Sequence, residues 1–119
     1  MERDPKIHPI RIVVDSRKFS DYVLVPGHPS GKDRIFIGLL GYHPRSDEDA
    51  NLLAATYIEQ AERRFAAEDV TWSRADIHGS RVVIEVEIYG YLLRSVWILR
   101  PGGELALVTP FSGFAERRS

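Results

Sequence analysis

Cysteine is absent from this sequence of 119 residues. A chain without cysteine has no disulfide, no thiolate nucleophile and no zinc site built on sulfur. The sequence also lacks an apolar run near the roughly 18 residues that a membrane helix needs, and residues 1–5 lead into no apolar stretch of signal-peptide length. We therefore expect a cytoplasmic protein that does not insert into a membrane.

An excess of charge of either sign is missing as well. Sixteen basic residues are balanced by seventeen acidic residues, which gives a formal net charge of −1. Without a net positive charge the chain has no overall attraction for the phosphate backbone of nucleic acids, and DNA is not predicted as a partner. An enzyme with a local basic site is compatible with this balance, because catalysis needs only a few well-placed cations.

Motifs for metals and nucleotides are missing too. The four histidines fall at no metal-ligand spacing, and the sequence has no HExxH or EF-hand pattern. It contains no GxSxG or GxGxxG motif, and Gly31-Lys32 lacks the upstream glycine of a P-loop. We predict no metal and no cofactor.

The composition that is present is typical of one globular domain. Hydrophobic residues make up 44% of the chain and charged residues 28%, and the length suffices to bury a core. We predict a single domain over residues 1–119, with its core between about residues 10 and 111 and a flexible tail over 112–119.

Hydrophobic periodicity predicts two short extended pieces, then two helices, and then a series of strands. Residues 10–14 favour a short first strand, and 22–25 favour a second extended piece. Ser30 as N-cap predicts a first helix over about 30–40, and Ser46 predicts a second over about 47–67. Strands are predicted at 70–77, 81–88, 91–100 and 105–109. The predicted fold class is α+β, with two N-terminal helices packed on an antiparallel meander of about four strands.

The turn before the first predicted helix concentrates groups suited to chemistry. His28 has a reference pKa near neutrality and can exchange a proton at working pH. Lys32 lies near a helix start, where unpaired N–H groups and the helix dipole attract anions. Each residue also has a simpler interpretation, His28 as a turn histidine and Lys32 as a solvated lysine.

Arg94 is the third candidate, because it interrupts an apolar central strand. A guanidinium there is costly to bury unless a negative group meets it. That group is either a ligand or one of two glutamates across the hairpin, Glu85 or Glu87. Ser95 and Thr109 are ordinary strand residues unless they share a face with the other candidates.

Short motifs in a fixed order add a family resemblance. They are Tyr22-x-Leu24, His28-Pro29-x-Gly31-Lys32, Phe36, Leu40-Gly41-Tyr42, Leu93-Arg94-Ser95-Val96-Trp97 and Leu107-Val108-Thr109-Pro110-Phe111. Over residues 22–111 the chain resembles a small bacterial domain that recurs in polymorphic toxins and phage-associated proteins. That domain is similar to the barnase–EndoU–colicin–RelE set of ribonuclease folds.

The sequence departs from the pattern of that family at three places. One glycine precedes Lys32 where the family often has two. Ser95 replaces the usual threonine and keeps a hydroxyl. Phe111 follows Pro110 where a tyrosine before the proline is expected.

The resemblance implies a toxin-like, metal-independent endoribonuclease in which the 2′-hydroxyl of the RNA attacks the adjacent phosphorus. His28 would then act as general base or acid, and Lys32 and Arg94 would neutralise charge on the phosphoryl oxygens. Ser95 and Thr109 would orient the phosphate or the imidazole. The implied partners are an RNA substrate and a neutralising antitoxin or immunity protein. Two alternatives stay open: a non-enzymatic protein-binding module of antitoxin or adaptor type, and an inactive relic of the fold.

Overall fold

Five strands form one mixed β-sheet in the computed structural model, which describes residues 9–115. The strands are β1 (Arg11–Val13), β2 (Thr71–Asp76), β3 (Gly79–Ile88), β4 (Tyr91–Leu99) and β5 (Glu104–Thr109). Their order across the sheet is β1-β5-β4-β3-β2. Strands β2 to β5 form antiparallel pairs, whereas β1 runs parallel to β5.

One long helix, α1 (Asp47–Ala66), packs against the sheet. The Ser46 hydroxyl caps it by accepting a hydrogen bond from the Asp49 N–H at 3.0 Å. Acidic residues fill the first turn, where the helix dipole favours negative charge. Two short helical segments of the π type precede it, Phe19–Val23 and Arg34–Leu39. None of the helices within residues 9–115 is long and apolar enough to cross a membrane.

The predicted fold class is wrong. Within residues 9–115 the chain has one helix longer than six residues, not two N-terminal helices, and it follows the first strand. The sheet is mixed and five-stranded, not a four-stranded meander, because β1 pairs with β5. The first residue of β1, Arg11, pairs with Glu104 of β5. Local sequence patterns carry no signal for a contact between residues so far apart.

Two local predictions near the N-terminal part of the chain are also wrong. The segment containing residues 22–23 is helical, not extended, because helical geometry buries Phe19 and Val23 on one face. Ser30 does not cap a helix, since the second short helix has Asp33 as its N-cap residue. The Asp33 carboxylate instead accepts a hydrogen bond from the Gly27 N–H at 2.9 Å.

The C-terminal half follows the predicted element order closely. The helix predicted over 47–67 is confirmed, and β2 to β5 begin and end within two residues of the predicted bounds. Alternate residues of β3 and β4 are buried on the side that faces α1, with Trp97 the largest fully buried side chain. After β5, residues 112–115 bond to β4, with Arg94 N–H donating to the Gly113 carbonyl at 2.8 Å. The rest of the predicted tail, 116–119, lies outside the described residues.

Candidate functional site

Lys32 and Thr109 meet although 77 positions separate them in the sequence. Lys32 lies just before the second short helix, and Thr109 ends β5. The Lys32 ammonium donates a hydrogen bond to the Thr109 hydroxyl, with 3.0 Å between Nζ and Oγ1. Both side chains are half-buried. Two residues that the sequence predicted separately as site residues are therefore in direct contact.

Tyr22, from the first short helix, is the third member of this site. The Lys32 Nζ lies 5.1 Å from the centroid of its ring. Hydrogen bonding from Lys32 lowers the pKa of the Tyr22 phenol below its ordinary value of 10.0 and outweighs the opposing effect of burial. The Lys32 charge and the hydroxyls of Ser30 and Thr109 lower it further. A cation beside a phenol stabilises the phenolate and makes the phenol a stronger acid.

A tyrosine titration tests this contact without any assumption about activity. Ultraviolet absorbance should show the Tyr22 phenol ionising below pH 10, because Lys32 stabilises the phenolate. In the Lys32→Ala variant this ionisation should move to higher pH, and in Tyr22→Phe it should disappear. Burial raises the pKa of Tyr42 to about 12, so the late ionisation of that residue is an internal reference. An unchanged titration in Lys32→Ala would contradict the contact.

His28 packs against Tyr22 and completes the group. The two rings meet edge to face, with centroids 4.8 Å apart. Ser30 holds the imidazole, since its N–H donates to the His28 Nδ1 at 3.1 Å and its hydroxyl lies 3.0 Å from the same atom. Gly31 closes this tight turn with a positive φ of 74° that glycine adopts without strain. Tyr22, His28, Lys32 and Thr109 are called the Lys32 cluster below.

A cavity of about 400 Å³ adjoins the Lys32 cluster. Tyr22 and Thr109 belong to both the cluster and the cavity wall. The other lining residues are Asp15, Arg17, Lys18, Asp21 and Val108. The cavity lies where β1 and β5 both end, because the two strands run parallel and their carboxyl ends meet at one edge of the sheet. A ligand held by the cluster would therefore extend into a pocket that is already formed.

Arg94 lines a different pocket from the one beside the Lys32 cluster. It is exposed on the sheet face away from α1, and its β3 partner is Glu85. It lines a smaller pocket of about 200 Å³ with Asp69, Thr71, Val83 and Glu85. The acidic residues of this pocket match the simpler interpretation of Arg94, that a glutamate across the hairpin offsets its charge.

Ser95 is fully buried, and its hydroxyl forms hydrogen bonds with other residues of the protein. Its hydroxyl donates to the Ile84 carbonyl at 2.6 Å and accepts from the Trp97 indole N–H at 2.8 Å. Adjacent residues of a strand point to opposite faces of the sheet, so Arg94 and Ser95 cannot serve one site. Ser95 therefore satisfies a buried indole and is not available to a ligand.

Sequence reasoning missed Tyr22 as a site residue. The extended piece predicted over residues 22–25 gives no reason to place the Tyr22 side chain beside Lys32. The useful signal was the ordered motif set, in which Tyr22 precedes the His28 turn. Phe111 has a different role, since it packs edge to face on the buried Phe36 with centroids 6.4 Å apart.

Clusters of metal ligands are not found in the part of the chain that the structure describes. His, Asp and Glu side chains there form no group of three or more that could hold a metal ion. The Lys32 cluster itself contributes a cation, an imidazole and two hydroxyl groups. This donor set is suited to binding an oxyanion and to exchanging protons.

Comparison with known proteins identifies one family. Residues 7–113 match a family model described as a domain of unknown function, DUF6883. No curated protein and no solved structure matches the chain. The match covers the Lys32 cluster and the adjoining cavity but brings no activity with it.

Proposed function

This chain belongs to the DUF6883 family, and we propose that it is a metal-independent endoribonuclease that acts at the Lys32 cluster. The observation that carries the proposal is the 3.0 Å contact between Lys32 and Thr109, with Tyr22 and His28 packed beside it. One cation, one hydroxyl, one phenol and one imidazole converge next to a cavity. These groups can bind a phosphodiester and move protons on and off its oxygens.

The reaction needs no nucleophile from the protein. The RNA 2′-oxygen bonds to the adjacent phosphorus while His28 takes the proton of that hydroxyl at Nδ1, its unprotonated ring nitrogen, which gives up its hydrogen bond from the Ser30 N–H. The bond from phosphorus to the 5′-oxygen breaks, and Tyr22 donates its phenolic proton to the departing oxygen. Its lowered pKa suits this role, because the nearby Lys32 stabilises the phenolate that forms. Lys32 and Thr109 bind the phosphoryl oxygens on which negative charge grows. The products are a 2′,3′-cyclic phosphate and a 5′-hydroxyl.

The proposal leaves Arg94 and Ser95 outside the reacting groups. Arg94 lies in a pocket with two carboxylates, and Ser95 is fully buried against Trp97. The toxin-like character and a neutralising partner stay part of the proposal, because a ribonuclease active in the cell that makes it must be restrained. We place that activity in the cytoplasm, in keeping with a cysteine-free chain.

Incubation of the purified protein with total RNA in EDTA tests the proposal. We expect cleavage that leaves 2′,3′-cyclic phosphate ends, and a loss of activity of about 100-fold or more in His28→Ala, because the base would be absent. His78→Ala is the matched control, since His78 is exposed in the turn between β2 and β3, and β2 lies at the opposite edge of the sheet from β1. Intact RNA with the wild type, or equal cleavage by His28→Ala, would refute the proposal.

A second candidate function is a protein-binding module, which one observation favours. Strand β2 lies at the edge of the sheet, and every one of its residues is exposed. An edge strand offers unpaired backbone groups to which a strand of another protein can add. Expression in growing cells separates the two functions, because a free ribonuclease should arrest growth and a binding module should not.

A further inference from the structure

A second cavity, of about 350 Å³, lies at the sheet edge formed by β2, whereas β1 forms the opposite edge. Its volume is within the usual range of small-ligand sites. None of the lining residues that the structure describes is acidic. They are Trp72, Ser73, Arg74, Ala75, Ser80 and Arg81, and the cavity is called the Arg81 pocket below.

A β-bulge in β2 shapes this pocket. The register of β2 against β3 shifts between Trp72 and Ala75. Two residues of β2, Ser73 and Arg74, therefore oppose the single β3 residue Arg81. A bulge interrupts the ladder of backbone hydrogen bonds and turns side chains in new directions, and bulges are frequent next to active sites. The pocket is thus a feature of the strand pairing itself.

Arg81 has a polar atom whose hydrogen bond is missing. The residue is half-buried, and its Nε atom is fully buried with no hydrogen-bond partner. No other buried side-chain nitrogen or oxygen within residues 9–115 lacks a partner. Removing a donor from water without giving it a partner is costly, and the cost is larger when the group is charged.

The protein also leaves the charge of Arg81 without a carboxylate. Arg81 forms no ion pair within residues 9–115. An anion in the pocket would supply the opposite charge that the folded chain does not. Five other arginines each bind a carboxylate: Arg11, Arg17, Arg63, Arg64 and Arg100.

The donors of the pocket match a phosphate group with three terminal oxygens. A guanidinium binds two oxygens of one phosphate through parallel N–H groups, and the hydroxyls of Ser73 and Ser80 can donate to the third oxygen. A carboxylate and a phosphodiester each offer only two such oxygens. Trp72, whose ring is 44% exposed, presents an apolar surface beside them to an organic group attached to the phosphate.

We propose that the Arg81 pocket binds a terminal phosphate group, either free or as a monoester of a small molecule. Arg81 and the two serine hydroxyls hold the phosphate, and Trp72 lies beside any organic part. Arg74 also lines the pocket, but it is exposed, so solvent screens its charge and the site does not depend on it. The proposal does not rest on the proposed function, because none of these residues belongs to the Lys32 cluster.

Tryptophan fluorescence of the whole chain, titrated with inorganic phosphate and with ribose 5-phosphate, tests the proposal. Trp72 is half-exposed at the pocket and Trp97 is fully buried, so the expected saturable change in emission should disappear in Trp72→Phe. Arg81→Gln should weaken binding at least about 10-fold, because the charge-assisted hydrogen bonds to phosphate are lost. Arg74→Ala is the matched control in the same pocket and should change the affinity less than about 3-fold.

The choice of ligands separates the possible sources of the phosphate. Tighter binding of ribose 5-phosphate than of inorganic phosphate would identify a monoester as the ligand, and equal binding would identify free phosphate. Lys32→Ala should keep the fluorescence response, which distinguishes this pocket from the Lys32 cluster. No saturable response, an unchanged affinity in Arg81→Gln, or equally tight binding of acetate or dimethyl phosphate would overturn the proposal.

Thermal melting of Arg81→Met provides a second readout on the same residue. Methionine removes the unpartnered Nε, and apolar replacement of a buried charged group is often neutral or stabilising. In phosphate-free buffer the variant should therefore melt at or above the wild-type temperature. Phosphate should raise the melting temperature of the wild type and leave that of Arg81→Met unchanged. A lower melting temperature of the variant without phosphate, or equal shifts of both proteins with phosphate, would show a structural role for Arg81 and overturn the proposal.

Discussion

Alanine in place of Lys32 is expected to lower kcat/KM for RNA cleavage by about 100- to 1000-fold, the usual effect of removing one group that stabilises transition-state charge. In the structure the ammonium contacts the Thr109 hydroxyl and the Tyr22 ring, which are both neutral, so neither contact offsets its charge. In the proposed reaction, that charge would attract the phosphoryl oxygens as they become more negative. The half-buried setting strengthens the attraction, because protein surroundings screen charge less than bulk water does.

The matched control for this variant is Arg74→Ala. Arg74 is an exposed cation on β2 and lines a different pocket from the one beside Lys32, so its loss should change cleavage less than about 3-fold. Circular dichroism and thermal melting should show both variants folded, because a partly exposed lysine adds little to stability. If Lys32→Ala retained more than a tenth of the wild-type activity, the cluster would not be the catalytic centre.

Alanine at Gly79 is expected to reduce the free energy of unfolding by about 3–5 kcal/mol, through backbone strain together with overpacking. Gly79 begins β3 with a φ of 134°, a conformation that residues with a side chain rarely adopt. A Cβ atom placed there would lie 2.3 Å from the Leu99 carbonyl oxygen. Because that neighbour is backbone, the contact can be relieved only by moving the end of β4 away from β3. Urea denaturation followed by tryptophan fluorescence measures the loss.

Gly102→Ala provides the control for the stability measurement. Gly102 also lies in a turn between strands, but its φ is not positive and no atom lies within 4 Å of a Cβ at that position. We expect its unfolding free energy to stay within about 0.5 kcal/mol of the wild type. Equal stability of Gly79→Ala and Gly102→Ala would show that the β2–β3 turn does not pack against β4 as described.

The parts of the fold that were predicted correctly have strong local signals. The Ser46 cap with its acidic first turn marks the start of α1, and the alternation from Val82 to Ile88 marks β3. The errors fall where the structure depends on distant contacts. The short strand predicted over residues 10–14 is present as β1, but its parallel pairing with residues 104–106 was not predicted. Phe19 and Val23 are helical because both can be buried together in that way.

The candidate site shows the same division. His28 and Lys32 lie in one short turn, so their chemistry was visible in the sequence, and the ordered motifs supplied Thr109. The structure places Arg94 and Ser95 on opposite faces of the sheet, because neighbouring residues of a strand face opposite ways. The ordered motifs include Tyr22 but give it no chemical role, because its contact with Lys32 forms only in the folded chain.

The parallel pairing of β1 with β5 has a consequence for synthesis of the protein. Arg11 and Glu104 are 93 positions apart, and the contact between Lys32 and Thr109 likewise joins residues 77 positions apart. A growing chain emerges from the ribosome N-terminal end first. The imidazole and ammonium therefore leave the exit tunnel early, but the Thr109 hydroxyl that the ammonium contacts emerges only after β5 has been translated. Nascent chains should consequently lack the contact between Lys32 and Thr109 until β5 has left the exit tunnel.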